Sequence, residues 1–367
     1  MDTYKILNQQ IYFSNALEAQ QYAKNNPGTV VKRASQQVDE KTTISPAKIL
    51  KFLDRFIIAQ DRAKKEIAVS MYYHNLRMTY TDETSIQNNG PIMLIGPTGS
   101  GKTYIVQKAC EYIDTVFIHV DTSSMVSEGI IGYNIGKLAA DIVKKAESNL
   151  KKAEYAVVFF DEVDKLFLSD SYEYAEDVAN QLLRFIEGTT IHISEKDTNS
   201  YNEVVLSTHK MQFILGGAFQ WLLDRKQVTS STTMGFLKNT EQIATFNNEA
   251  EITLEDLYEE NVPKELLGRM HAVINLYRLS MEDYYQILTK SENSPLQEFI
   301  NKITFHGDKV NIEDDVIYAI ATYASKSDLG VRAIRQILKK LFSEALFLAP
   351  NRGSSVHHIT YNKEDFF

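Results

Sequence analysis

The chain is 367 residues long, 44% hydrophobic and 24% charged, enough for one large core or two moderate ones with a small piece besides. Its single cysteine, Cys110, excludes an internal disulfide and a four-cysteine zinc site and fits a reducing, cytoplasmic setting. With 39 basic against 48 acidic side chains, the net charge of -9 opposes non-specific adhesion to nucleic acid, and no run approaches the ~20 apolar residues that span a bilayer.

Residues 1–40 read as a small unit: a strand within 4–13, a helix capped by Ser14 and running to Ala23, a Pro27-Gly28 turn, and a strand over 29–33. A polar linker over 34–43 follows, then a helix opened by Ser45-Pro46, a second helix over 60–77, and a polar loop over 79–90. Short apolar runs at 92–95, 116–120, 157–160 and 213–215, separated by helical patterns, predict an α/β fold with a parallel sheet covered on both faces. Cys110 falls in one of those helices as a small core residue. Residues 226–250 turn polar and Ser/Thr/Asn-rich, which predicts a long loop. Beyond residue 276 the pattern is mainly helical, at 281–290, 314–324 and 331–346, with a last strand near 356–361. The expected division is therefore 1–40, 41–275 and 276–367.

Gly96-Pro97-Thr98-Gly99-Ser100-Gly101-Lys102-Thr103 fits the phosphate-loop pattern G-x-x-x-x-G-K-[ST], after a predicted strand and before a predicted helix. Its glycines let backbone N–H groups and a helix N-terminus face anionic oxygens. Lys102 is expected on the terminal phosphates of ATP, and the Thr103 hydroxyl on magnesium. Further on, the apolar run 157–160 leads into Asp161-Glu162 at the carboxyl end of a buried strand, the edge where open α/β sheets bind ligands. Asp161 is expected to hold Mg2+ and Glu162 to orient and deprotonate the attacking water.

Over roughly residues 45–350 the chain resembles the ClpX branch of the AAA+ unfoldases. The resemblance rests on Phe56-Ile57-Ile58-Ala59-Gln60, on Phe160-Asp161-Glu162-Val163-Asp164-Lys165, on the helical LLRFIEGT run 182–189, and on Gly216-Gly217-Ala218-Phe219. It implies an AAA+ large domain followed by a smaller helical one, with Ile57 and Ile58 against adenine; plain core packing is the other reading of that pair. Pro263-Lys264-Glu265-Leu266-Leu267-Gly268-Arg269 resembles the segment whose arginine reaches a neighbour's nucleotide, so Arg269 is the implied trans finger. Gly330-Val331-Arg332 resembles the sensor-2 motif, with Arg332 on phosphate; a surface arginine is the alternative. Both roles imply a homo-hexamer acting on protein substrates.

The sequence also departs from that family. Gly129-Ile130-Ile131-Gly132 stands where the family carries an aromatic pore loop, so Ile130 and Ile131, with Tyr133 nearby, are the implied substrate grip. The segment after Lys165 is shorter than the family's second pore loop, the basic loop has no match within 192–202, and one cysteine cannot build the zinc-binding N-terminal domain. Residues 1–40 stand in its place, as a docking piece for clients or unknown adaptors or as a packing extension. Met234-Gly235-Phe236, inside the polar 230–237 stretch, resembles the loop that docks into a ClpP-like peptidase; tucking back into its own domain is the alternative. The leading expectation is an ATP-dependent unfoldase feeding such a peptidase. A remodelling ATPase without a peptidase stays open, and a nucleic-acid motor is disfavoured by the acidic balance.

Overall fold

The computed structural model describes residues 3–6, 12–13, 22, 24, 31–34, 44–79, 90–126, 133–167, 173–193, 204–233, 251–260, 262–351 and 358–361. At the N-terminal end β1 (Thr3–Ile6) lies between β2 (Tyr12–Phe13) and β3 (Val31–Ala34), antiparallel to both. The single strand expected over 4–13 is thus two strands. Tyr4 pairs with Phe13 and Lys5 with Tyr12, while residues 7–11 lie outside the described residues.

α1 (Pro46–Phe56) opens as its sequence requires, with Ser45 Oγ accepting from Lys48 N at 3.3 Å and proline in the first turn. α2 (Asp61–Thr79) follows, then β4 (Ile92–Ile95), α3 (Lys102–Ile113), β5 (Phe117–Asp121), α4 (Ile135–Lys145), α5 (Leu150–Glu154) and β6 (Val157–Asp161). α6 (Glu173–Glu187) leads into an antiparallel hairpin, β7 (Thr190–Ile193) and β8 (Val204–Ser207), which the sequence reading did not separate out. β9 (Gln212–Gly217) precedes α7 (Gln220–Thr233). That helix corrects the expected loop: residues 226–233 are helical, and no glycine or proline interrupts the chain before Gly235. Two short helices, α8 (Leu254–Tyr258) and α9 (Lys264–Leu267), lead to β10 (Ala272–Asn275).

Five of these strands form one parallel sheet in the order β10-β4-β9-β6-β5. Strand β10 was not anticipated. The alternation of a strand decides the two faces. Ile92 and Leu94 join Phe159 and Ile214 in a core against α1, α2 and α3, which includes the buried Cys110. Met93 and Ile95 join Phe160 and Leu215 in a second core with Leu138 of α4 and Phe185 of α6. Burial on both faces explains why these strands read as unbroken apolar runs.

The C-terminal layer contains α10 (Met281–Thr289), α11 (Pro295–Thr304), β11 (Lys309–Ile312), α12 (Asp314–Lys326), α13 (Val331–Leu348) and β12 (His358–Tyr361), with β11 and β12 paired in parallel. Ile303, Ile320, Ile334, Leu338 and Phe342, all fully buried, centre its core. Helix α11 was missed although Ser294-Pro295 carries its start signal, Ser294 Oγ accepting from Leu296 N at 3.2 Å. This layer is tied to the end of α1: the Arg55 guanidinium makes two 2.7 Å bonds to the Glu292 carboxylate, and Ser291 Oγ donates to Phe56 O at 2.7 Å.

Candidate active site

The loop from Gly96 to Thr103 leaves the carboxyl end of β4, with Gly96 N donating to Gly217 O at 3.1 Å and so holding the loop to β9. Gly99 (φ 78°) and Gly101 (φ 99°) both sit in the left-handed region, where glycine alone is unstrained. Gly101 is the N-cap of α3 and has no side chain to cap it, so the first N–H groups of a twelve-residue helix open toward the cleft. Ser100 Oγ is buried there with no hydrogen-bond partner. Lys102 Nζ donates to Gly96 O at 2.5 Å and Pro97 O at 3.1 Å. Burial holds its pKa below the ordinary lysine value, partly offset by the charges of Asp161 and Asp164.

Thr103 Oγ1 donates to Asp161 Oδ2 at 3.1 Å, joining the start of α3 to the end of β6. Burial pushes the Asp161 carboxyl upward, yet hydrogen bonding from His119 and the Lys102 charge bring it below its ordinary value. Glu162 N donates to Asp161 Oδ1 at 3.0 Å, and Glu162 itself has φ 59°. A non-glycine residue in that region carries conformational strain, concentrated here on the expected base. Lys165 Nζ pairs with Glu162 Oε2. Buried Asp164 accepts from Phe219 N at 3.1 Å, fixing the Gly-Gly-Ala-Phe turn after β9.

Two adjacent cavities, about 410 and 330 Å³, meet at the loop and fall within the range of small-molecule sites. Lys102, Thr103, Asp161, Glu162 and Arg332 all line the smaller one, and Pro97, Thr98, Gly99 and Ser100 line the larger. Arg332 arrives on the first turn of α13, preceded by Gly330, which presses directly on the loop. A Cβ added to Gly99 would stand 2.8 Å from Gly330 Cα, and one added to Gly330 would stand 2.9 Å from Gly99 Cα. The approach of the C-terminal layer to the phosphate loop therefore requires glycine on both sides.

The other expected residues are placed differently. Ile57 is buried in the core under α1–α3, whereas Ile58 packs on the C-terminal core, and neither lines the two cavities. Between them and the loop, the Gln60 carboxamide bridges the layers: its Nε2 donates to Tyr277 O at 2.8 Å and to Ser100 O at 3.4 Å. Arg269 precedes β10, at the edge of the sheet opposite the phosphate loop, and pairs with Glu187 at 3.0 Å. Tyr133 bridges Met125 and donates its hydroxyl to Asp141 Oδ2 at 3.1 Å. Ile130, Ile131, Met234, Gly235 and Phe236 lie outside the described residues. Residues the sequence reading did not single out are Gln60, His119 and Asp164. Asp164 had a signal in its spacing after Asp161; His119 reaches the site only through strand pairing.

Among the described residues no helix is long and apolar enough to cross a membrane. A family model described as AAA domain (Cdc48 subfamily) matches residues 87–273. A curated relative, the ATP-dependent Clp protease ATP-binding subunit ClpX of Treponema denticola, is 28% identical over 324 residues, which cover 84% of this chain and 78% of that protein.

Proposed function

From the premise that this chain belongs to the AAA domain family and is a ClpX-like, nucleotide-binding ATPase, we propose that it is an ATP-driven protein unfoldase that works as a homo-hexamer and hands its substrate to a ClpP-like peptidase. One observation carries the reading. Lys102, Thr103, Asp161, Glu162 and Arg332, from three separate stretches of chain, converge on one cavity.

The orphaned Ser100 hydroxyl, the open helix N-terminus and the half-buried Lys102 ammonium suit a polyphosphate. Thr103 Oγ1 and Asp161 Oδ2, hard oxygen donors 3.1 Å apart, suit Mg2+. When bound, that ion neutralises charge on the terminal phosphates. Lys102 exchanges its backbone carbonyl partners for phosphate oxygens, and Glu162 orients a water and accepts its proton. Arg332, carried by the C-terminal layer, makes closure of that layer depend on what the loop holds. The peptidase partner rests on the name of the Treponema relative and on the resemblance of Met234-Gly235-Phe236 to a docking loop.

The testing experiment is Glu162→Gln. The variant should bind ATP as the parent does, hydrolyse it about 100-fold more slowly or worse, and retain captured protein in a stable complex. Unchanged turnover would remove Glu162 from its role. A trap that holds protein but never co-sediments with a ClpP-type ring would favour remodelling without degradation. Stimulation by DNA alone would overturn the protein substrate.

A further inference from the structure

We propose that His119 is a positioning residue of the metal-nucleotide site: its imidazole donates from Nε2 to Asp161 Oδ2 and holds that oxygen toward the hydroxyl of Thr103. The inference rests on the reading of this cleft as a Mg2+-ATP site.

Strands β5 and β6 pair in parallel with His119 opposite Phe159 and Asp121 opposite Asp161. Side chains two residues apart share a face, so His119, Phe159 and Asp161 stand together at the carboxyl edge. The imidazole stacks on the fully buried Phe159 ring, with centroids 5.8 Å apart and planes 18° apart. That platform aims Nε2 at Asp161 Oδ2, 3.3 Å away. An ionised carboxylate only accepts, so Nε2 carries the proton and the ring is the donor.

The bonds around Asp161 then divide cleanly. Oδ1 takes Glu162 N at 3.0 Å, the backbone carbonyl takes Thr122 Oγ1 at 2.8 Å, and Oδ2 takes Thr103 Oγ1 at 3.1 Å together with His119. Without His119, only the Thr103 hydroxyl fixes Oδ2, and Thr103 is itself an expected ligand. A hydrogen-bond donor to a ligating carboxylate sets its rotation and basicity, and loss of such a donor typically costs about 10–100-fold in metal affinity. His119 is also 44% exposed along its side chain, too open to serve mainly as core.

The test compares full-length parent, His119→Met and His119→Gln. Methionine keeps the bulk over Phe159 without an N–H; the glutamine amide places a donor near the position of Nε2. Binding of N-methylanthraniloyl-ADP is followed by fluorescence as Mg2+ is titrated, and separately in EDTA. The expected result is that His119→Met raises the half-saturating Mg2+ concentration about tenfold, leaves metal-free nucleotide binding unchanged, and is largely rescued in His119→Gln. An unchanged Mg2+ midpoint in His119→Met, an equal loss with and without Mg2+, or a glutamine variant as defective as methionine would overturn the assignment. If the parent itself bound the nucleotide without regard to Mg2+, the reading of the cleft would fail as well.

Discussion

The two edges of the parallel sheet use polar groups in opposite ways. At the amino edge they are buried and consumed in closing the fold: His74 Nε2 donates to Tyr155 O at 2.8 Å, its Nδ1 accepts from Arg77 at 2.9 Å, and Gln212 Nε2 donates to Gly90 O at 3.0 Å. At the carboxyl edge the groups keep spare capacity, as with the unpaired Ser100 hydroxyl, Lys102 on loop carbonyls, and Glu162 in a strained backbone conformation. The amino edge ties its side chains to backbone carbonyls and to one another, although Arg77 Nε and Nη1 stay unpartnered there; the carboxyl edge turns its spare groups toward cavities, where a ligand can complete them.

Arg269 is the exception that tests the contrast most strongly. It lies at the amino edge, yet its side chain is 52% exposed and, among the described residues, holds a surface ion pair with Glu187. Such a pair contributes roughly 0–1 kcal/mol and is easily surrendered. Strand β10 separates Arg269 from the carboxyl edge, and four residues of strand span about 13 Å, so Arg269 does not serve its own phosphate loop. If it serves a neighbour's, Arg269→Ala should lower ATPase kcat by about 10³-fold while leaving nucleotide affinity and the melting temperature nearly unchanged. Rings mixed with Glu162→Gln subunits should regain activity only where an intact Arg269 faces an intact Glu162. A loss of stability in place of turnover would make Arg269 one more structural group of its edge.

His74 offers the converse test, because it should matter to stability and not to turnover. Full burial, together with the neighbouring Arg77 charge, lowers its pKa from 6.5 to about 3 despite the hydrogen bond to Tyr155 O. Between those values the unfolded chain binds a proton that the folded chain refuses. Stability is therefore lost as pH falls through that window, by about 1.4 kcal/mol per pH unit from this one group. His74→Gln should be less stable at pH 7 but show a slope of unfolding free energy between pH 6 and pH 4 shallower by about that amount. Equal slopes would mean that His74 is protonated in the fold.

The same contrast explains what was legible in the sequence. The phosphate loop and Asp161-Glu162 are local, since their chemistry lies in consecutive residues on either side of strand ends, and four sheet strands announced themselves as apolar runs. Strand β10 did not, because Ala272-Val273-Ile274-Asn275 is short and ends in a polar residue whose role is tertiary: Asn275 Oδ1 accepts from Ile252 N, and its Nδ2 donates to Ile252 O. Helix α7 was hidden by its Ser/Thr-rich end, which weak propensity alone could not assign. His119 and Gln60 were invisible as site residues because strand register and a layer interface bring them there.

The smallest expected effect falls where the carboxyl edge meets the C-terminal layer. Gly330 has φ 57° and ψ -134°, a conformation that costs a residue bearing Cβ about 1–3 kcal/mol. Its added Cβ would also stand 3.0 Å from Thr98 O in the phosphate loop. Neither strain can be relieved by moving the loop, because Gly99 is itself held at φ 78° with Leu329 O only 2.8 Å from its own Cβ position. The α13 start must retreat instead, and Arg332 retreats with it. Gly330→Ala should therefore weaken ATP binding about tenfold, equivalent to roughly 1.4 kcal/mol, and Arg332→Ala added to it should cost little more, because the two changes remove one contact. If the two effects add in full, Arg332 reaches the cleft independently of the glycine contact. If only the melting temperature falls, the Gly99–Gly330 approach belongs with the amino edge, as packing that completes the fold and leaves the chemistry alone.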